Sequence, residues 1–394
     1  MAAMATGRGA APTRRIVFGT TVPVTARFFL VDQMKFLAGH GWKVHLVTSP
    51  GVDLDAIRAI LGGSDGITLH EIQMERRPSV GQDIAALRAW VRVLREVEPD
   101  VVMVGTPKAG LLGVIAARWA GVRNRIYLVH GLRLEGMAGL RAVIAAVAER
   151  AACMAATQVV CVSPSLKAAM VRRRLVNPLK CRVLADGSPN GVDLVRFHPP
   201  SPLDRYAARR LFGIPAGSYV VGFAGRLTSD KGVADLLAAM EVVREGCPEA
   251  LLIVAGAQDS AAPLPEATTH LLSRSGVREI GHWEDMPTFF HALDLFCLPS
   301  YREGMPTVNL EAAASGVPVV TTSATGCIDS LVDGETGRVA PMRDPTALAR
   351  VICELHADHS MRARMGLAGR AWVEARFPQQ TVWRAQLRFL NDLL

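Results

Sequence analysis

The chain has 394 residues, half of them hydrophobic and a fifth charged, with 35 glycines and 23 prolines. Such a length predicts two domains of about 150 to 200 residues, and the composition excludes collagens, coiled coils and intrinsically disordered proteins. The net charge of +8 is uneven, because residues 1–195 hold 25 basic and 14 acidic side chains (+11) whereas residues 196–394 hold 19 and 22 (−3), so the two halves are expected to meet different partners.

The first half of the chain alternates short apolar runs with helical patterns. Residues 1–13 precede the first run and are predicted to form a disordered tail. The alternation predicts a mostly parallel sheet in a Rossmann-like domain over residues 14–189. The longest apolar stretch, Ala142–Val162, is broken by Glu149 and Arg150, which favours a helix followed by a strand over a membrane span. The six strand runs are RIVFGT, WKVHLVTS, ITLHEI, VVMVGT, RIYLVHG and TQVVCVS.

A change of composition separates the two halves. The segment Asp186–Asp204 holds four prolines and two glycines and interrupts the alternation, which is typical of a linker. We place the linker at residues 190–204 and a second Rossmann-like domain at residues 205–376, with strand runs YVVGFAG, ALLIVAG, VREIGH, LDLFCLPS, PVVTT and GRVA. Two doubly wound sheets joined in this way predict a ligand cleft between the carboxyl ends of their strands. A last helix within residues 377–394 fits equally well across both domains or on the second one.

The cysteine pattern and the absence of long apolar segments indicate the compartment. Seven cysteines are scattered without a CxxC pair or a neighbouring histidine cluster, which predicts a reducing compartment and no zinc or disulfide framework. No apolar leader segment precedes Ile16. No stretch reaches the roughly 18 uninterrupted apolar residues that a spanning helix needs. We therefore expect a cytoplasmic protein.

Two cations follow the first strand of the second half. In GFAGRLTSDKGVADLL the strand ends at Gly225 and Arg226, and Lys231 and Gly232 precede a helix. Cations beside the free amide groups of a helix N-terminus favour binding of a diphosphate. Taken alone, the same residues also fit a solvated turn.

Two carboxylates lie in PSYREGMPTVNLEAAASGVPVVTT, with seven residues between them. Glu303 is predicted in a loop, Pro306 suits the first position of a helix, and Glu311 follows inside that helix. A carboxylate in a loop can accept hydrogen bonds from sugar hydroxyls. A carboxylate near the start of a helix can accept hydrogen bonds from both hydroxyls of a ribose. Taken alone, the spacing also fits a solvated loop charge at Glu303 and a charge at Glu311 that the helix dipole favours. The amides expected to be free for phosphate are those of Met305, Thr307 and Val308.

These two segments, in this order and 77 residues apart (303 minus 226), resemble family 4 of the glycosyltransferases, which are retaining enzymes. The resemblance spans nearly the whole chain through NGVDLVRFHP, GRLTSDKG, EGMPTVNLE, GHWEDMPTFFHALDLFCLPS and TGCIDSLVDGETG. In the first half, RFFLVDQMKFLAGHGWKVHLVTSPG, GTPKAGLLG and YLVHGLRLEG are similar to the branch that builds bacterial capsule, O-antigen and related polysaccharides. The resemblance implies the GT-B fold, an α/β architecture in which two Rossmann-like domains face a central cleft. The first domain would bind the acceptor and the second the nucleotide sugar.

The resemblance also implies roles for individual residues. Arg226 and Lys231 would hold the donor diphosphate, while Glu311 would bind the ribose. Glu303 would bind a hydroxyl of the transferred sugar. His130, which ends the strand run RIYLV, matches the acceptor-domain histidine and would contact donor sugar or acceptor, although a lone histidine at a strand end is more often structural. The catalytic set is thus His130, Glu303, Arg226 and Lys231, and the donor-binding set adds Gly225, Gly304, Met305, Thr307 and Val308.

Three further segments resemble known motifs only in part. The loop FGTTVPVTARFF lacks the paired glycines of many family members, so Gly19 is a weaker assignment to the donor phosphate. GTPKAGLLG is not a nucleotide-triphosphatase loop, because Leu111 follows Gly110 where that loop has lysine, and Lys108 either meets an acceptor phosphate or occupies a simple turn. The DxD at Asp53 and Asp55 begins a predicted helix and is interpreted as N-capping, so no metal and no cofactor are expected.

The sequence thus predicts a metal-independent, retaining transferase that moves a hexosyl or N-acetylhexosaminyl unit from a nucleotide diphosphate sugar, preferably UDP-linked, by front-face attack to a lipid-linked glycan in bacterial surface polysaccharide synthesis. The +11 half would lie on an anionic membrane through the run Arg172–Arg174 with Lys180 and Arg182, and no nucleic-acid partner is expected. The alternatives are transfer to a small soluble acceptor, such as an aminocyclitol or a natural-product aglycone, and a nucleotide-sugar-binding protein without activity. A sugar epimerase of the same architecture lacks support from the motifs.

Overall fold

Parallel strands build the first domain in the computed structural model, which describes residues 14–62, 66–75, 79–259 and 262–394. The strands are β1 (Arg14–Gly19), β2 (Trp42–Thr48), β3 (Ile67–Glu71), β4 (Val101–Gly105), β5 (Asn124–Val129), β6 (Gln158–Cys161) and β7 (Cys181–Arg182). Within the described residues these seven strands form one parallel sheet in the order β3-β2-β1-β4-β5-β6-β7. The predicted tail, residues 1–13, lies outside the described residues.

Helices cover both faces of this sheet. They are α1 (Pro23–Phe29), α2 (Val31–Gly39), α3 (Val52–Leu61), α4 (Val80–Val97), α5 (Pro107–Trp119), α6 (Gly139–Ala155) and α7 (Pro164–Arg172), with short 3-10 helices at Arg133–Gly136 and Pro178–Lys180. Strands covered in this way read as continuous apolar runs, and every residue of β4 is buried. The predicted helix and strand within Ala142–Val162 are α6 and β6.

The second domain repeats this architecture. Its strands are β8 (Tyr219–Ala224), β9 (Ala250–Ala255), β10 (Val277–Gly281), β11 (Leu295–Leu298), β12 (Val319–Thr322) and β13 (Gly337–Ala340). Over the same described ranges these six strands form a parallel sheet in the order β10-β9-β8-β11-β12-β13. Its helices are α8 (Pro202–Leu211), α9 (Val233–Gly246), α10 (Glu266–Leu272), α11 (Met286–His291), α12 (Thr307–Ala314), α13 (Pro345–Ala357) and α14 (His359–Arg376), and a 3-10 turn covers Ser229–Lys231.

The predicted α/β fold with two facing Rossmann-like domains is confirmed. Each of the twelve predicted strand runs matches one strand of the structure, with β1 and β5 beginning one residue earlier, whereas β7 was not predicted. Two residues are too few to show an alternating pattern, and β7 is recognised as a strand only by its pairing with β6.

The chain crosses between the domains twice, and the two crossings lie side by side. Residues 186–201 contain no helix or strand, and α8 begins at Pro202, inside the predicted linker. The Val192 amide donates to the Phe377 carbonyl at 2.8 Å, and the Gln379 amide donates to the Val192 carbonyl at 3.0 Å. Gly191 has a φ of +69°, and a β-carbon there would lie 2.8 Å from the Phe377 carbonyl oxygen, so glycine is required at this crossing.

The last helix, α15 (Gln379–Asn391), returns to the first domain. Asn391 accepts a hydrogen bond from the Arg14 guanidinium at 2.7 Å, and the Gln386 side chain bonds that of Gln33 on α2. The Trp383 indole donates to the Asn190 side chain at 2.7 Å. The sequence left open a helix across both domains or one on the second domain, and the structure has α15 leave the second domain and pack on the first.

Candidate active site

A cavity of about 700 Å³ lies between the two domains, at the carboxyl ends of both sheets. Residues following β4 and β5 line one wall, and residues following β8, β9, β10 and β11 line the other. Loops at these ends carry the cavity lining because all strands of each sheet run in the same direction. The lining includes His130 from the first domain and Arg226, Lys231, Glu303 and Glu311 from the second.

Lys231 and Glu303 form an ion pair inside this cavity. The Lys231 ammonium lies 2.5 Å from the Glu303 carboxylate, and the two side chains are only 18% and 13% exposed. The Ser300 hydroxyl donates to the same carboxylate oxygen at 2.8 Å. The sequence assigned the two residues to neighbouring parts of the donor, and the structure places them in direct contact.

The loop that carries Lys231 is fixed to the loop that carries Glu303. The Tyr301 amide donates to the Asp230 carbonyl at 2.8 Å, and the Arg302 guanidinium lies 2.7 Å from the Asp230 carboxylate. Gly232 closes the turn with a φ of +70°, and a β-carbon there would overlap the Pro299 carbonyl oxygen. Glycine is therefore required for Lys231 to reach Glu303.

Arg226 lies at the mouth of the cavity. Its side chain is 62% exposed, and its guanidinium contacts the Asp259 carboxylate at 2.7 Å. An exposed cation held by one contact can turn toward a ligand at low cost, unlike the enclosed ammonium of Lys231.

The N-terminus of α12 points into the same cavity. The sequence predicted Pro306 as the first residue of this helix. In the structure the helix begins at Thr307, and Pro306 is its N-cap. Thr307 and Val308 are therefore the first two helical positions, whose amides have no acceptor within the helix. Together with Met305 they line the cavity and can donate to an anion.

Glu311 lies one turn into α12 and faces the cavity beside Arg196. Burial raises the pKa of Glu311 to about 7, and the positive charge of Arg196 acts in the opposite direction. The Arg196 guanidinium also donates to the Glu284 carbonyl at 3.1 Å. A carboxyl poised in this way can ionise when ligand hydroxyls replace the solvent that burial has removed.

His130 directly follows β5 and faces the cavity from the first domain. Burial lowers the pKa of His130 to about 4, so the imidazole is neutral at physiological pH. A neutral imidazole has one donor and one acceptor nitrogen, which suits a sugar hydroxyl.

Two predicted site residues do not line the cavity. Gly19 packs under Trp90, and a β-carbon at Gly19 would lie 2.5 Å from its ring. The Lys108 ammonium lies 2.6 Å from the Asp83 carboxylate and is 12% exposed. The roles assigned to Gly19 and Lys108 stay predictions, and these positions do not favour them.

The predicted N-capping by Asp53 and Asp55 is wrong. Gly51 is the N-cap of α3, and no side chain caps this helix end. Both aspartates lie in the first turn, where the helix dipole favours negative charge, and each forms an ion pair. Asp53 contacts Arg27 at 2.9 Å, and Asp55 contacts Arg58 at 2.8 Å.

Several cavity residues were not found from the sequence. Thr106 follows β4 with a φ of +66°, which is strained for a β-branched residue, and its hydroxyl bonds the Thr21 hydroxyl at 2.8 Å. Phe28 and Phe29 are exposed at the end of α1, an unusual position for two aromatic side chains. Neither feature has a local sequence signal. The remaining unpredicted lining includes Thr25, Arg196, His282, Trp283 and Glu284.

Loops of the two domains contact each other directly beside this cavity. A β-carbon on Gly304 would overlap the His130 carbonyl oxygen, so the two loops touch across the cleft. Nearby, the Ser165 amide in the first turn of α7 donates to the Asp329 carboxylate at 3.0 Å, and the Ser165 hydroxyl also contacts this carboxylate. The Gly326 amide donates to the Ser165 hydroxyl at 2.7 Å. A carboxylate of the second domain thus caps a helix of the first.

We expect Asp329→Ala to weaken domain closure, because it removes a charged acceptor from the N-terminus of α7. Such a bond is worth about 1.5 to 3 kcal/mol, so turnover in the closed cavity should fall about tenfold or more while each domain keeps its fold. Steady-state kinetics and thermal unfolding measure the two effects. Glu335→Ala, at an exposed carboxylate nearby, is the control, and equal turnover of the two variants would contradict the capping role.

Two family models match the chain, one for each domain. The model described as Glycosyltransferase Family 4 matches residues 28–196, and the model described as Glycosyl transferases group 1 matches residues 204–372. Together they cover every strand of the two sheets except β1.

Individual proteins are also similar to the chain. The capsular polysaccharide biosynthesis glycosyltransferase CapM of Staphylococcus aureus is 32% identical over 92% of this chain and 93% of its own. The UDP-Gal:alpha-D-GlcNAc-diphosphoundecaprenol alpha-1,3-galactosyltransferase of Escherichia coli is 28% identical over 64% of this chain and 65% of its own. The crystal structure of Anabaena HepE in complex with UDP and glucose matches with a TM-score of 0.79 at 21% identity, covering 96% of this chain and all of HepE.

Proposed function

The chain belongs to glycosyltransferase family 4, and from that membership we propose that it transfers a hexosyl or N-acetylhexosaminyl unit from a UDP-sugar, with retention, to a lipid-linked glycan in bacterial surface polysaccharide synthesis. The observation that carries the proposal is the meeting of His130 with Lys231, Glu303 and Glu311 in one cavity between two sheets. Three of these side chains come from the second domain and one from the first, as a reaction between two substrates requires.

The donor would lie against the second domain. Its diphosphate would take the place beside Lys231 and the amides of Thr307 and Val308, with Arg226 turning inward from the cavity mouth. Its ribose would bond Glu311. The structure of HepE with UDP and glucose, and the UDP-Gal named for the Escherichia coli relative, support a UDP-sugar. The leaving group needs no divalent ion in this arrangement, because two cations and a helix N-terminus supply the positive potential.

Retention would follow from attack on the face that the diphosphate leaves. Glu303 is held by Lys231 and Ser300, and an ion pair and a hydrogen bond on the same oxygen lower the nucleophilicity of its carboxylate. In the proposed step the acceptor oxygen bonds to the anomeric carbon while the bond from that carbon to the phosphate oxygen breaks. The acceptor proton passes to the departing phosphate oxygen. Neutral His130 would hold the sugar, and closure would exclude water.

We expect Glu311→Gln and Glu303→Gln to act on different steps. Glu311→Gln should weaken UDP binding, since a ribose is bound equally before and during transfer, whereas Glu303→Gln should mainly lower kcat. Because the pKa of Glu311 is raised to about 7, its charged fraction grows between pH 6 and 8, and UDP affinity should grow with it.

Titration of UDP at several pH values measures both effects. Phosphate ionisation is common to all proteins compared, so the difference between wild type and Glu311→Gln isolates the carboxyl. A larger loss of UDP affinity in Glu303→Gln, or the same pH dependence in Glu311→Gln, would reverse the assignments.

The acceptor would reach the cavity from a membrane surface. Helix α6 presents four exposed apolar side chains at helical spacing, Leu140, Val143, Ile144 and Val147, between 58% and 74% exposed. Arg141 and Arg150 lie on the same helix, and the Arg150 guanidinium reaches the Arg174 carbonyl at 3.4 Å beside the predicted basic run. An apolar stripe flanked by cations suits an anionic bilayer. No helix in the described part of the chain is long and apolar enough to span one.

The structure changes which residues of the basic run can meet lipid. The Lys180 ammonium caps the end of α6 through the Ala156 carbonyl at 3.0 Å, so it is engaged within the fold. Arg172, Arg173 and Arg174 are exposed. Arg173 also lies 3.8 Å from the Glu135 carboxylate.

We expect the wild type to sediment with anionic liposomes at low salt and to dissociate as salt rises. Changing Arg172, Arg173 and Arg174 to Ser should weaken binding at low salt, and changing Leu140, Val143 and Ile144 to Ser should abolish the salt-resistant part. Replacing the exposed Leu367 of α14 by Ser is the control. Equal sedimentation of all four proteins would remove the membrane surface and favour a small soluble acceptor.

The proposed function is tested directly by product analysis. A panel of nucleotide sugars is offered with an undecaprenyl-diphosphate-linked sugar or with soluble acceptors, with and without EDTA, and products are identified by mass spectrometry and by anomeric configuration. A new α-linked glycolipid from a UDP-sugar, formed in EDTA, is the expected result. An epimerised donor, binding without transfer, or transfer to a soluble acceptor alone would each overturn it.

A further inference from the structure

The side chains of a cysteine, a glutamate and a histidine meet in the second domain, away from the candidate active site. Cys247 follows α9, Glu249 lies two residues later in the turn before β9, and His356 lies near the end of α13. The Cys247 sulfur is 3.2 Å from the His356 Nε2, which is 3.3 Å from the Glu249 carboxylate. One donor atom of each residue lies within 4.8 Å of the others. We propose that Cys247, Glu249 and His356 bind a Zn²⁺ ion.

The sulfur–nitrogen and nitrogen–oxygen distances are close to those of tetrahedral zinc. With a zinc–sulfur bond of about 2.3 Å and bonds of about 2.1 Å to nitrogen and oxygen, sulfur and nitrogen lie about 3.6 Å apart and nitrogen and oxygen about 3.4 Å apart. The observed 3.2 Å and 3.3 Å differ from these values by a few tenths of an ångström. Side-chain rotation alone supplies such a shift. Thiolate and imidazole together favour zinc over magnesium or calcium.

The three side chains differ in their exposure to solvent. Cys247 is buried, whereas the His356 and Glu249 side chains are 32% and 48% exposed, so the fourth position faces solvent. The His356 ring packs on Tyr219 with centroids 4.8 Å apart, which limits its rotation. The C-terminal ends of α9 and α13 both approach the site, and their partial negative charge favours a cation. The Arg362 guanidinium donates to the His356 carbonyl at 3.2 Å, so this positive side chain contacts the backbone of His356 and not its ring.

The site is separate from the transfer reaction. Glu249 precedes Ala250, the first residue of β9, and the cavity begins at Ala255, the last. Five residue steps of a strand span about 17 Å. Zinc would therefore tie α13 to the turn between α9 and β9, and the thiol proton would pass to solvent on binding. Zinc should stabilise the fold and leave UDP binding unchanged.

Cobalt provides the direct test, since Co²⁺ enters zinc sites and a thiolate ligand gives a near-ultraviolet charge-transfer band. The full reduced chain is stripped of metal and titrated with Co²⁺, which Zn²⁺ then displaces. One equivalent with this band is expected for the wild type and for His359→Ala, an exposed histidine on α14. Cys247→Ser should lose the band, and His356→Ala and Glu249→Gln should bind about tenfold or more weakly. Mg²⁺ should not displace cobalt.

A second measurement covers a variant that folds poorly. Zn²⁺ should raise the Tm of the wild type and of His359→Ala but not of Glu249→Gln or His356→Ala. UDP titration of the same samples should give equal affinities with and without zinc. Cobalt binding without a thiolate band, or equal affinities of His356→Ala and His359→Ala, would overturn the site and would leave the proposed transferase activity unaffected.

Discussion

Replacing Lys231 by Met is expected to lower kcat/KM by about 10² to 10³. The ammonium is the one cation buried against Glu303 in the described cavity, so it would face the negative charge that develops on the leaving diphosphate. Preorganised charges of this kind act mainly in the transition state, and kcat should therefore fall more than UDP affinity.

The same substitution should destabilise the fold, because Glu303 keeps only the Ser300 hydroxyl. An enclosed carboxylate without its cation costs about 1.5 to 3 kcal/mol. Lys231→Met combined with Glu303→Gln should recover the Tm without recovering turnover. Arg274→Met, which breaks an exposed ion pair with Glu241 outside the cavity lining, is the control. If Lys231→Met lost stability but kept turnover, Lys231 would be structural only.

Gly304→Ala should lower turnover by about 10² or more by a different route. The added methyl group would overlap the His130 carbonyl oxygen of the facing domain and would lie 2.9 Å from the Val162 side chain, so the domains could not close to this distance. Displacement of reacting groups by about 1 Å is enough for such a loss.

The contact lies between the domains, so each domain should fold normally and UDP should bind with its ordinary affinity. Small-angle X-ray scattering should show a larger radius of gyration, and kinetics should show the lost turnover. Gly246→Ala, on α9 with no atom within 4 Å of the new methyl group, is the control. Full activity of Gly304→Ala would mean that transfer does not require this closed arrangement.

Much of the fold follows from the sequence because it depends on local patterns. Runs such as VVMVGT and ALLIVAG are apolar throughout, since strands covered on both faces bury every side chain, and the helical stretches between them leave a parallel sheet as the one simple topology. The two residues of β7 have no such pattern, and only their pairing with β6 identifies them as a strand. The side on which α15 packs was also open, because contacts with residues such as Gln33 and Asn190 are made more than 190 positions away.

The site divides in the same way. The order of strand, cation-bearing turn, carboxylate loop and helix is a local property. The sequence and its family resemblance therefore predicted Arg226, Lys231, Glu303 and Glu311 at one site, and all four line the cavity. Distances between separate loops are not local. Only the tertiary structure decided that Lys231 and Glu303 form an ion pair, that Lys108 pairs with Asp83, and that Gly19 packs under Trp90.

The clearest difference between the two levels concerns the cysteines. The sequence predicts no zinc framework because such frameworks are recognised by short spacings, and Cys247 and His356 are 109 positions apart. The parallel packing of α9 and α13 on one face of the second sheet brings them within 3.2 Å. Chain patterns thus determine which elements form, since periodicity and turn chemistry act over a few residues, whereas the pairing of side chains from distant elements is decided by how those elements pack.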